Sequence, residues 1–338
     1  MTHILVAGGA GYIGSHVCKA LAAAGMVPVV LDDFSAGHRA FVRFGPCVEA
    51  CVSNEAAVAA AVREYHIAAV IDLAGSIEVA ESVRDPLKYY ENNVARRIPF
   101  LRALMAAGVE ALVFSSTAAV YGEPQAVPIA EDHPLSPTNP YGATKRMVEQ
   151  MLADAGRAHG LRAMALRYFN AAGASPDGEI GEAHEPETHL IPRACLASLG
   201  AIPPLEIFGN DYPTPDGTAI RDYIHVMDLA RAHVQAVVAL LSGAGSACYN
   251  LGTGQGRSIG AVLATFARLG ITVPHRFAPR RVGDPSQLLA DSQAAQAALG
   301  WKPVVSDLET IVSSAYAWHK GRVNVIASEA TQSRPGSR

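Results

Sequence analysis

Short apolar runs alternate with segments of helical periodicity through the first half of the chain. Each run is apolar at successive positions, which is typical of strands covered on both faces of a parallel sheet. The predicted strands span 3–7, 27–32, 47–52, 69–73, 111–115 and 163–168, and the predicted helices span 13–24, 54–65, 86–107 and 141–159. This alternation predicts an α/β fold with a doubly wound parallel sheet and right-handed crossovers.

The pattern changes after Tyr168. Residues 170–187 are rich in Gly, Pro, Asp and Glu, which favours loops. Further helices are predicted over 192–199, 226–241, 258–269, 291–299 and 306–319, with strands over 205–209 and 247–251. We therefore expect a first domain over 1–169, to which residues 220–250 return, and a smaller mixed α/β substrate-binding region over 170–320. The polar end of the chain, 321–338, is predicted to be a disordered tail.

Composition supports a packed core and excludes some partners. Half of the 338 residues are hydrophobic, only 17% are charged, and the net charge is −4. No basic field is present to attract nucleic acid or an anionic membrane. We find neither a signal peptide nor an apolar run of about 18 residues. The five cysteines are scattered and include no CxxC pair, which favours a reducing, cytoplasmic location.

A glycine motif follows the first predicted strand. Gly8, Gly11 and Gly14 have the spacing G-x-x-G-x-x-G and open a helix, which is typical of Rossmann-type dinucleotide sites. A tight turn without a ligand is the alternative interpretation. Asp32 ends the second strand, 24 positions after Gly8, where an acid binds ribose hydroxyls and repels a 2′-phosphate. This arrangement favours NAD over NADP, although a solvated strand end is an alternative for Asp32.

Tyr141 and Lys145 are candidates for proton transfer. They lie four positions apart in a helix opened by Asn139 and Pro140, so both side chains share one face. An ammonium beside a phenol lowers the pKa of the phenol, which then exchanges protons near neutral pH. Thr117 follows an apolar strand and lies at its carboxyl end, where open α/β sheets bind ligands. A surface Tyr and Lys without function is the alternative for the isolated pair.

These motifs and several longer segments carry a family resemblance. The glycine loop, Thr117, Tyr141-x-x-x-Lys145 and the segment 166–170 (LRYFN) resemble the extended short-chain dehydrogenase/reductases. Segments 207–218, 221–226 and 278–284 resemble the UDP-hexose 4-epimerases within them. The resemblance spans about residues 2–320, and the C-terminal segments are its most specific part.

The resemblance implies an NAD-dependent isomerase that interconverts UDP-galactose and UDP-glucose. Tyr141 takes the proton of the 4-hydroxyl while a hydride leaves C4, the 4-keto sugar turns over, and the hydride returns to its other face. Lys145 assists Tyr141, and Thr117 replaces the usual Ser. Implied cofactor residues are Gly8, Gly11, Tyr12, Ile13, Gly14, Asp32, Asp33, Val52, Ala74, Asn93, Lys145 and Tyr168. Implied substrate residues are Thr117, Tyr141, Phe169, Asn170, His189, Leu190, Phe208, Arg221, Arg281, Asp284 and Leu288.

Departures from the family pattern leave the sugar open. Cys51 stands where an Asp near the adenine is common, Ile77 replaces a Lys, and Leu288 is intermediate at a position that gates sugar size. A 4-epimerase of a UDP-N-acetylhexosamine, UDP-pentose or UDP-glucuronate therefore stays an alternative. A non-catalytic NAD-binding regulator is the alternative from another class. A homodimer is implied by the resemblance alone.

Two competing interpretations are disfavoured by the residues. Sugar-nucleotide 4,6-dehydratases carry an Asp-Glu pair after the Thr, where this chain has Ala118 and Ala119. A metal site is suggested by His184 and His189, but the two are five positions apart and Pro186 breaks a helix between them. The two-histidine helical zinc geometry therefore fails, and we expect no metal.

Overall fold

The computed structural model of the chain describes residues 1–281 and 284–332. Its strands are β1 (His3–Ala7), β2 (Val27–Asp32), β3 (Cys47–Glu49), β4 (Ile67–Asp72), β5 (Ala111–Thr117), β6 (Arg162–Tyr168), β7 (Asn170–Ala172), β8 (Leu205–Phe208), β9 (Ile220–His225), β10 (Ala247–Leu251), β11 (Gly256–Ser258), β12 (His275–Ala278) and β13 (Gln287–Leu288). Its α-helices are α1 (Tyr12–Ala23), α2 (Glu55–Glu64), α3 (Val79–Arg84), α4 (Pro86–Tyr89), α5 (Arg97–Ala106), α6 (Pro140–His159), α7 (Leu190–Ser198), α8 (Val226–Leu241), α9 (Ile259–Arg268), α10 (Gln293–Leu299) and α11 (Leu308–Gln332).

A seven-stranded parallel sheet forms the centre of the fold. Its spatial order is β3-β2-β1-β4-β5-β6-β10, and each pair of neighbours is parallel. The chain builds outward from β1 to one edge and from β4 to the other. The strand order therefore reverses between β1 and β4, and this is where open α/β sheets bind ligands. The predicted fold class is confirmed.

Side chains of β1 show why both faces of this sheet are covered. Ile4 and Val6 join the apolar cluster built with α1 and α8. Leu5 and Ala7 point to the opposite face, into the cluster built with α2, α5 and α6. Successive side chains of a strand point to opposite faces, so a run that is apolar throughout needs helices on both sides.

The C-terminal region is smaller and mixed. β9 pairs with β7 and β13 in parallel and with β11 in antiparallel orientation, and β8 pairs with β12. Residues of α7, α9 and α11 form the apolar cluster beside these strands. From this part of the chain, β10 returns to the main sheet, where it is the edge strand next to β6.

The helix predicted over 86–107 is interrupted. It is observed as α4, a π-helical stretch over Tyr90–Ala95, and α5. Pro99 has no N–H to donate to the carbonyl of Ala95, which explains why the π-helical stretch ends at Ala95 and regular α-helix begins again at Arg97. β3 ends at Glu49, short of the predicted residue 52, and α3 and the short strands β7, β11, β12 and β13 were not among the predicted elements.

The end of the chain also differs from expectation. α11 continues to Gln332, so residues 321–332 of the expected tail are helical in the structure, while 333–338 lie outside the described residues. The sequence of α11 carries no proline to end it, since the next proline is Pro335. Within the described part of the chain, none of the helices has the length and apolarity needed to cross a membrane.

Candidate active site

A cavity of about 1420 Å³ opens at the carboxyl ends of the central strands and extends to the C-terminal region. Typical ligand pockets enclose about 300–1,000 Å³, so this cavity has room for two ligands side by side. Most of the site residues predicted from the sequence line it: Gly8, Gly11, Tyr12, Ile13, Gly14, Asp32, Asp33, Val52, Ala74, Thr117, Tyr141, Lys145, Tyr168, Phe169, Asn170, His189, Leu190, Phe208, Arg221, Arg281, Asp284 and Leu288.

Asn93 is the predicted residue that does not line the cavity. It is buried in the π-helical stretch, where its Oδ1 accepts from the N–H of Ser76 at 2.8 Å. Its amide donates to the carbonyl of Ser76 and to the hydroxyl of Thr144. Asn93 therefore holds the loop after β4 against α6. Its geometry is that of a positioning residue behind the cavity wall.

The glycine loop leaves no space for a side chain at Gly8 or Gly14. A Cβ at Gly8, whose φ is +76°, would lie 2.7 Å from the backbone nitrogen of Ala74. A Cβ at Gly14 would lie 2.1 Å from the carbonyl oxygen of Gly8. Gly11 is the N-cap of α1 and provides no side-chain cap, so the helix N-terminus faces the cavity with its backbone alone.

Asp32 holds this loop in place. Its Oδ2 accepts from the N–H of Ala10 and its Oδ1 from the N–H of Phe34, each at 2.9 Å. Burial raises the pKa of Asp32, against these hydrogen bonds. Asp33 accepts from the N–H and hydroxyl of Ser35. Both carboxylates line the cavity, so the loop contacts of Asp32 are additional to the ribose contact that the motif implies.

Thr117, Tyr141 and Lys145 come together at the ends of β5 and α6. Asn139 caps α6 by accepting from the N–H of Gly142 at 2.9 Å, and Pro140 occupies the first turn. Lys145 donates to the carbonyl of Ser115 at 2.8 Å, and its Nζ lies 6.0 Å from the centre of the Tyr141 ring. The three side chains are each more than 90% buried.

The pKa values of this group are set mainly by burial. Burial raises the pKa of Tyr141 to about 12, against a hydrogen bond with Thr117. Burial lowers the pKa of Lys145 to about 8, although Asp72 opposes this. The predicted lowering of the Tyr141 pKa is thus not produced by the protein alone. A further positive charge in the cavity is needed to bring the phenol toward neutral pH.

A buried ion pair behind Lys145 was missed by the sequence analysis. Arg97 Nε lies 2.8 Å from Asp72 Oδ2, and both side chains are 2% exposed. Arg97 also donates to the carbonyl of Ala74 and lines the cavity. The one signal in the sequence is a charged residue, Asp72, directly after the apolar positions of β4.

Cationic and aromatic side chains lie at the far end of the cavity. The Arg281 guanidinium stacks 3.9 Å from the centre of the Phe208 ring. Arg221 forms an ion pair with Asp284. Asp222 is occupied elsewhere, since its carboxylate accepts from Thr253, Gly254 and Ala290. Arg221 and Arg281 both line this end of the cavity.

Apolar groups surround the space next to Tyr141. Phe169 and Leu288 pack against the cluster of Ala118, Val120 and Tyr121. Asn170 donates to the carbonyl of Asp222 at 3.2 Å, which ties β7 to β9. Tyr168 and Ser115 share a hydrogen bond between their hydroxyl groups.

The positions that depart from the family pattern are part of the same wall. The Cys51 thiol accepts from the hydroxyl of Ser53 at 3.2 Å and lies 3.7 Å from a guanidinium nitrogen of Arg96. Ile77 also lines the cavity and is 38% exposed. Neither replacement closes the cavity.

The residues present fit a dinucleotide. The glycine loop approaches closely where a Cβ would collide, α1 presents an uncapped N-terminus, and acids end β2. These features define a Rossmann-type nucleotide-binding protein of the α/β class. The model of the NAD dependent epimerase/dehydratase family matches residues 4–252, and this chain belongs to that family. The predicted family and the predicted cofactor, NAD, are confirmed.

Similar proteins extend the match over nearly the whole chain. A UDP-glucose 4-epimerase of Azospirillum brasilense is 52% identical over 319 residues, covering 94% of this chain and 92% of that protein. The crystal structure of UDP-glucose 4-epimerase from Brucella ovis with NAD is 50% identical, with a TM-score of 0.92 over 94% of this chain and 98% of that one. The enzyme from Stenotrophomonas maltophila, with NAD and formylated UDP-arabinopyranose, is 39% identical, with a TM-score of 0.93 over 96% and 100%.

Proposed function

We propose that the protein interconverts UDP-galactose and UDP-glucose by inverting C4 of the hexose. The observation that carries the proposal is one continuous cavity with the glycine loop at one end and Arg221 and Arg281 at the other. Thr117, Tyr141 and Lys145 lie in its wall as well. Relatives of about 50% identity with the same name support this reaction.

NAD is proposed to occupy the half of the cavity next to the glycine loop. Gly8, Gly11, Tyr12, Ile13 and Gly14 would meet its pyrophosphate. The remaining contacts proposed for it are Asp32, Asp33, Val52, Ala74, Lys145 and Tyr168. Bound NAD would supply a hydride acceptor for the sugar C4 and then the hydride donor for its re-reduction, so the reaction would have no net redox change.

Tyr141 is the proposed acid and base. Its phenol oxygen removes the proton of the 4-hydroxyl and later returns a proton to the same oxygen. Burial raises the pKa of the Tyr141 phenol to about 12. Lys145 and a cation bound in the cavity are therefore needed to stabilise the phenolate. The Thr117 hydroxyl accepts from the N–H of Ala119 at 3.2 Å and forms a hydrogen bond with Tyr141. We propose that this hydroxyl exchanges its bond to Tyr141 for one to the sugar 4-oxygen when the substrate binds.

The uridine diphosphate is proposed to lie among Phe208, Arg221, Arg281 and Asp284. Guanidinium groups suit diphosphate oxygens because their paired N–H groups match the spacing of these oxygens. His189 and Leu190 at the start of α7 are proposed to line the same part, with Phe169, Asn170 and Leu288 around the sugar. A firmly held diphosphate would let the 4-keto sugar rotate about its bond to the diphosphate between the two hydride transfers.

A panel of UDP-sugars tests the proposal. The purified protein is incubated with each sugar, and proton NMR reads the configuration at C4. UDP-galactose and UDP-glucose are expected to interconvert fastest. Faster turnover of a UDP-N-acetylhexosamine, a UDP-pentose or UDP-glucuronate would reassign the substrate, and absence of turnover for every sugar would refute an epimerase.

The organisation of the chain is part of the proposal. Residues 1–169, with the segment around 220–250, are proposed to bind NAD, and residues 170–320 mainly the UDP-sugar. A cytoplasmic location is supported by the five cysteines, all of which are free. A homodimer is supported by exposed apolar side chains on α3 and α4, including Val83 and Leu87.

A further inference from the structure

The loop before α7 gathers two imidazoles and two carboxylates. Ligand atoms of Glu182, His184, Glu187 and His189 all lie within 4.8 Å of one another. No metal is expected here from the sequence, because His184 and His189 are five positions apart and Pro186 prevents a helix between them. The loop between Glu182 and His189 brings these four side chains together without a helix.

The distances within this group match a tetrahedral cation site. His189 Nδ1 lies 2.7 Å from Glu182 Oε1 and 3.3 Å from Glu187 Oε1. His184 Nδ1 lies 3.1 Å from Glu182 Oε1 and 3.8 Å from Glu187 Oε2. A tetrahedron with metal–ligand bonds of about 2.0 Å has edges of about 3.3 Å. The separations of 2.7 and 3.1 Å from Glu182 Oε1 to the two imidazoles, and of 3.8 Å from Glu187 Oε2 to His184, fall on both sides of that value.

A buried carboxylate oxygen without a partner provides an independent observation. The side chain of Glu187 is only 7% exposed, yet its Oε2 has no hydrogen-bond donor. Its other oxygen accepts from the N–H groups of Thr188 and His189 at 2.8 Å each, which fixes the orientation of the carboxylate. A buried charged oxygen without a partner is unfavourable unless a cation occupies the space beside it.

We propose that Glu182, His184, Glu187 and His189 bind one divalent transition-metal ion of the zinc class. Two imidazole nitrogens and two carboxylate oxygens suit Zn²⁺ in tetrahedral geometry. Glu182 and Glu187 supply two negative charges, and both carboxylates are buried, so the cation neutralises them. The indole of Trp318 donates to the carbonyl of Glu182 at 2.7 Å and holds the loop from behind.

Protons are the competing source of positive charge. Burial acts against protonation of both rings, but Glu182 and Glu187 raise the pKa of His184 to about 9 and that of His189 to about 10. A metal would displace these protons from Nδ1. It would leave Nε2 of each ring carrying a proton, which fixes the tautomer of His189 at the cavity wall.

Metal binding is tested on the full chain after removal of any affinity tag and of bound metal by a chelator. Equilibrium dialysis against Zn²⁺ is expected to give one tightly bound ion per chain. Substitution with Co²⁺ is expected to give the intense visible absorption of tetrahedral cobalt, a readout that needs no variant. Absence of both results would overturn the proposal and leave protons as the neutralising charge.

Two variants locate the ion. Glu187→Gln is expected to weaken Zn²⁺ affinity at least about tenfold. Glu185→Gln is the matched control, because it removes the same charge from an exposed position of the same loop outside the group. Circular dichroism checks that both variants fold. Equal affinity of the two variants would place the ion elsewhere and overturn the site, whatever the protein does to UDP-sugars.

Discussion

Tyr141 is the residue on which the proposed chemistry depends. Removing its hydroxyl leaves the aromatic packing in place but takes away the only group proposed to exchange a proton with the sugar. Tyr141→Phe is therefore expected to lower kcat at least about a hundredfold, the low end of acid–base catalysis. Steady-state kinetics with UDP-galactose measures this.

Tyr65→Phe is the control for that experiment. Tyr65 follows α2 and does not line the cavity. The turnover of Tyr65→Phe should therefore match that of the unmodified protein. NAD content of both variants is measured as well, because loss of the cofactor would also lower the rate. Near-normal turnover of Tyr141→Phe with bound NAD would remove Tyr141 from the mechanism.

Burial of Lys145 makes a prediction about stability. Its pKa is about 8 in the folded protein and about 10.4 in an unfolded chain, so the unfolded state binds more protons between these values. The contribution of Lys145 to the free energy of unfolding therefore rises with pH across this window and falls as pH drops toward 8. The full difference is on the order of 3 kcal/mol.

Comparison with Lys145→Met isolates this effect. The free energy of unfolding of the unmodified protein, minus that of the variant, is expected to increase between about pH 8 and pH 10.4. Denaturant titrations at several pH values measure it. Lys302→Met, at an exposed position, should give a difference that does not change with pH, and the same flat result for Lys145→Met would contradict the buried ammonium.

At the scale of elements, the Asp72–Arg97 ion pair joins the end of β4 to the start of α5. Removal of one partner leaves a buried charge uncompensated, at a cost of about 3–5 kcal/mol. Arg97→Met is expected to lower the free energy of unfolding by that amount. The double variant Asp72→Leu with Arg97→Met should lose less, because no charge is left unpaired.

Arg102→Met provides a control on the same helix. Arg102 pairs with Glu55 at 3.3 Å, but both side chains are exposed, so the loss should stay below about 1 kcal/mol. Denaturant unfolding followed by circular dichroism compares the three variants. Similar losses for Arg97→Met and Arg102→Met would mean that burial adds nothing to the Asp72–Arg97 pair.

The elements that the sequence predicted best are those with long, regular patterns. β1, α1, β2 and α6 lie close to their predicted bounds because periodicity, glycine and an Asn-Pro cap are local signals. Short strands such as β13, with two residues, carry no period and are formed by pairing with β9. The break before α5 depends on Pro99 and on contacts of Asn93 with residues distant in sequence.

The same distinction applies to the site. The glycine loop and Tyr141-x-x-x-Lys145 have fixed local spacings, so their places in the cavity follow from the sequence. Arg97 and Asp72 are 25 positions apart and meet only because β4 and α5 pack together. The group at 182–189 was excluded on the assumption of a helix, whereas a loop brings its side chains together.

At the scale of the whole molecule, the exposed apolar surface predicts association. Val83 on α3 is 62% exposed, Leu87 on α4 is 76% exposed, and Met147 on α6 is 43% exposed. α3 packs against both α4 and α6, so these side chains belong to neighbouring elements. An apolar surface shared by adjacent helices is typical of an interface between identical subunits. This surface supports the proposed homodimer.

A charge placed in that surface should separate the subunits, since burial of an unpaired carboxylate in an apolar interface is unfavourable. Light scattering after size exclusion is expected to give twice the chain mass for the unmodified protein and the single chain mass for Leu87→Glu. Val304→Glu is the control, because Val304 is 68% exposed but lies outside these helices, and it should stay dimeric. A monomeric unmodified protein, or a Leu87→Glu variant that keeps the double mass, would exclude this surface as the interface. The cavity of each chain is lined by its own residues, so the separated subunit should still bind NAD.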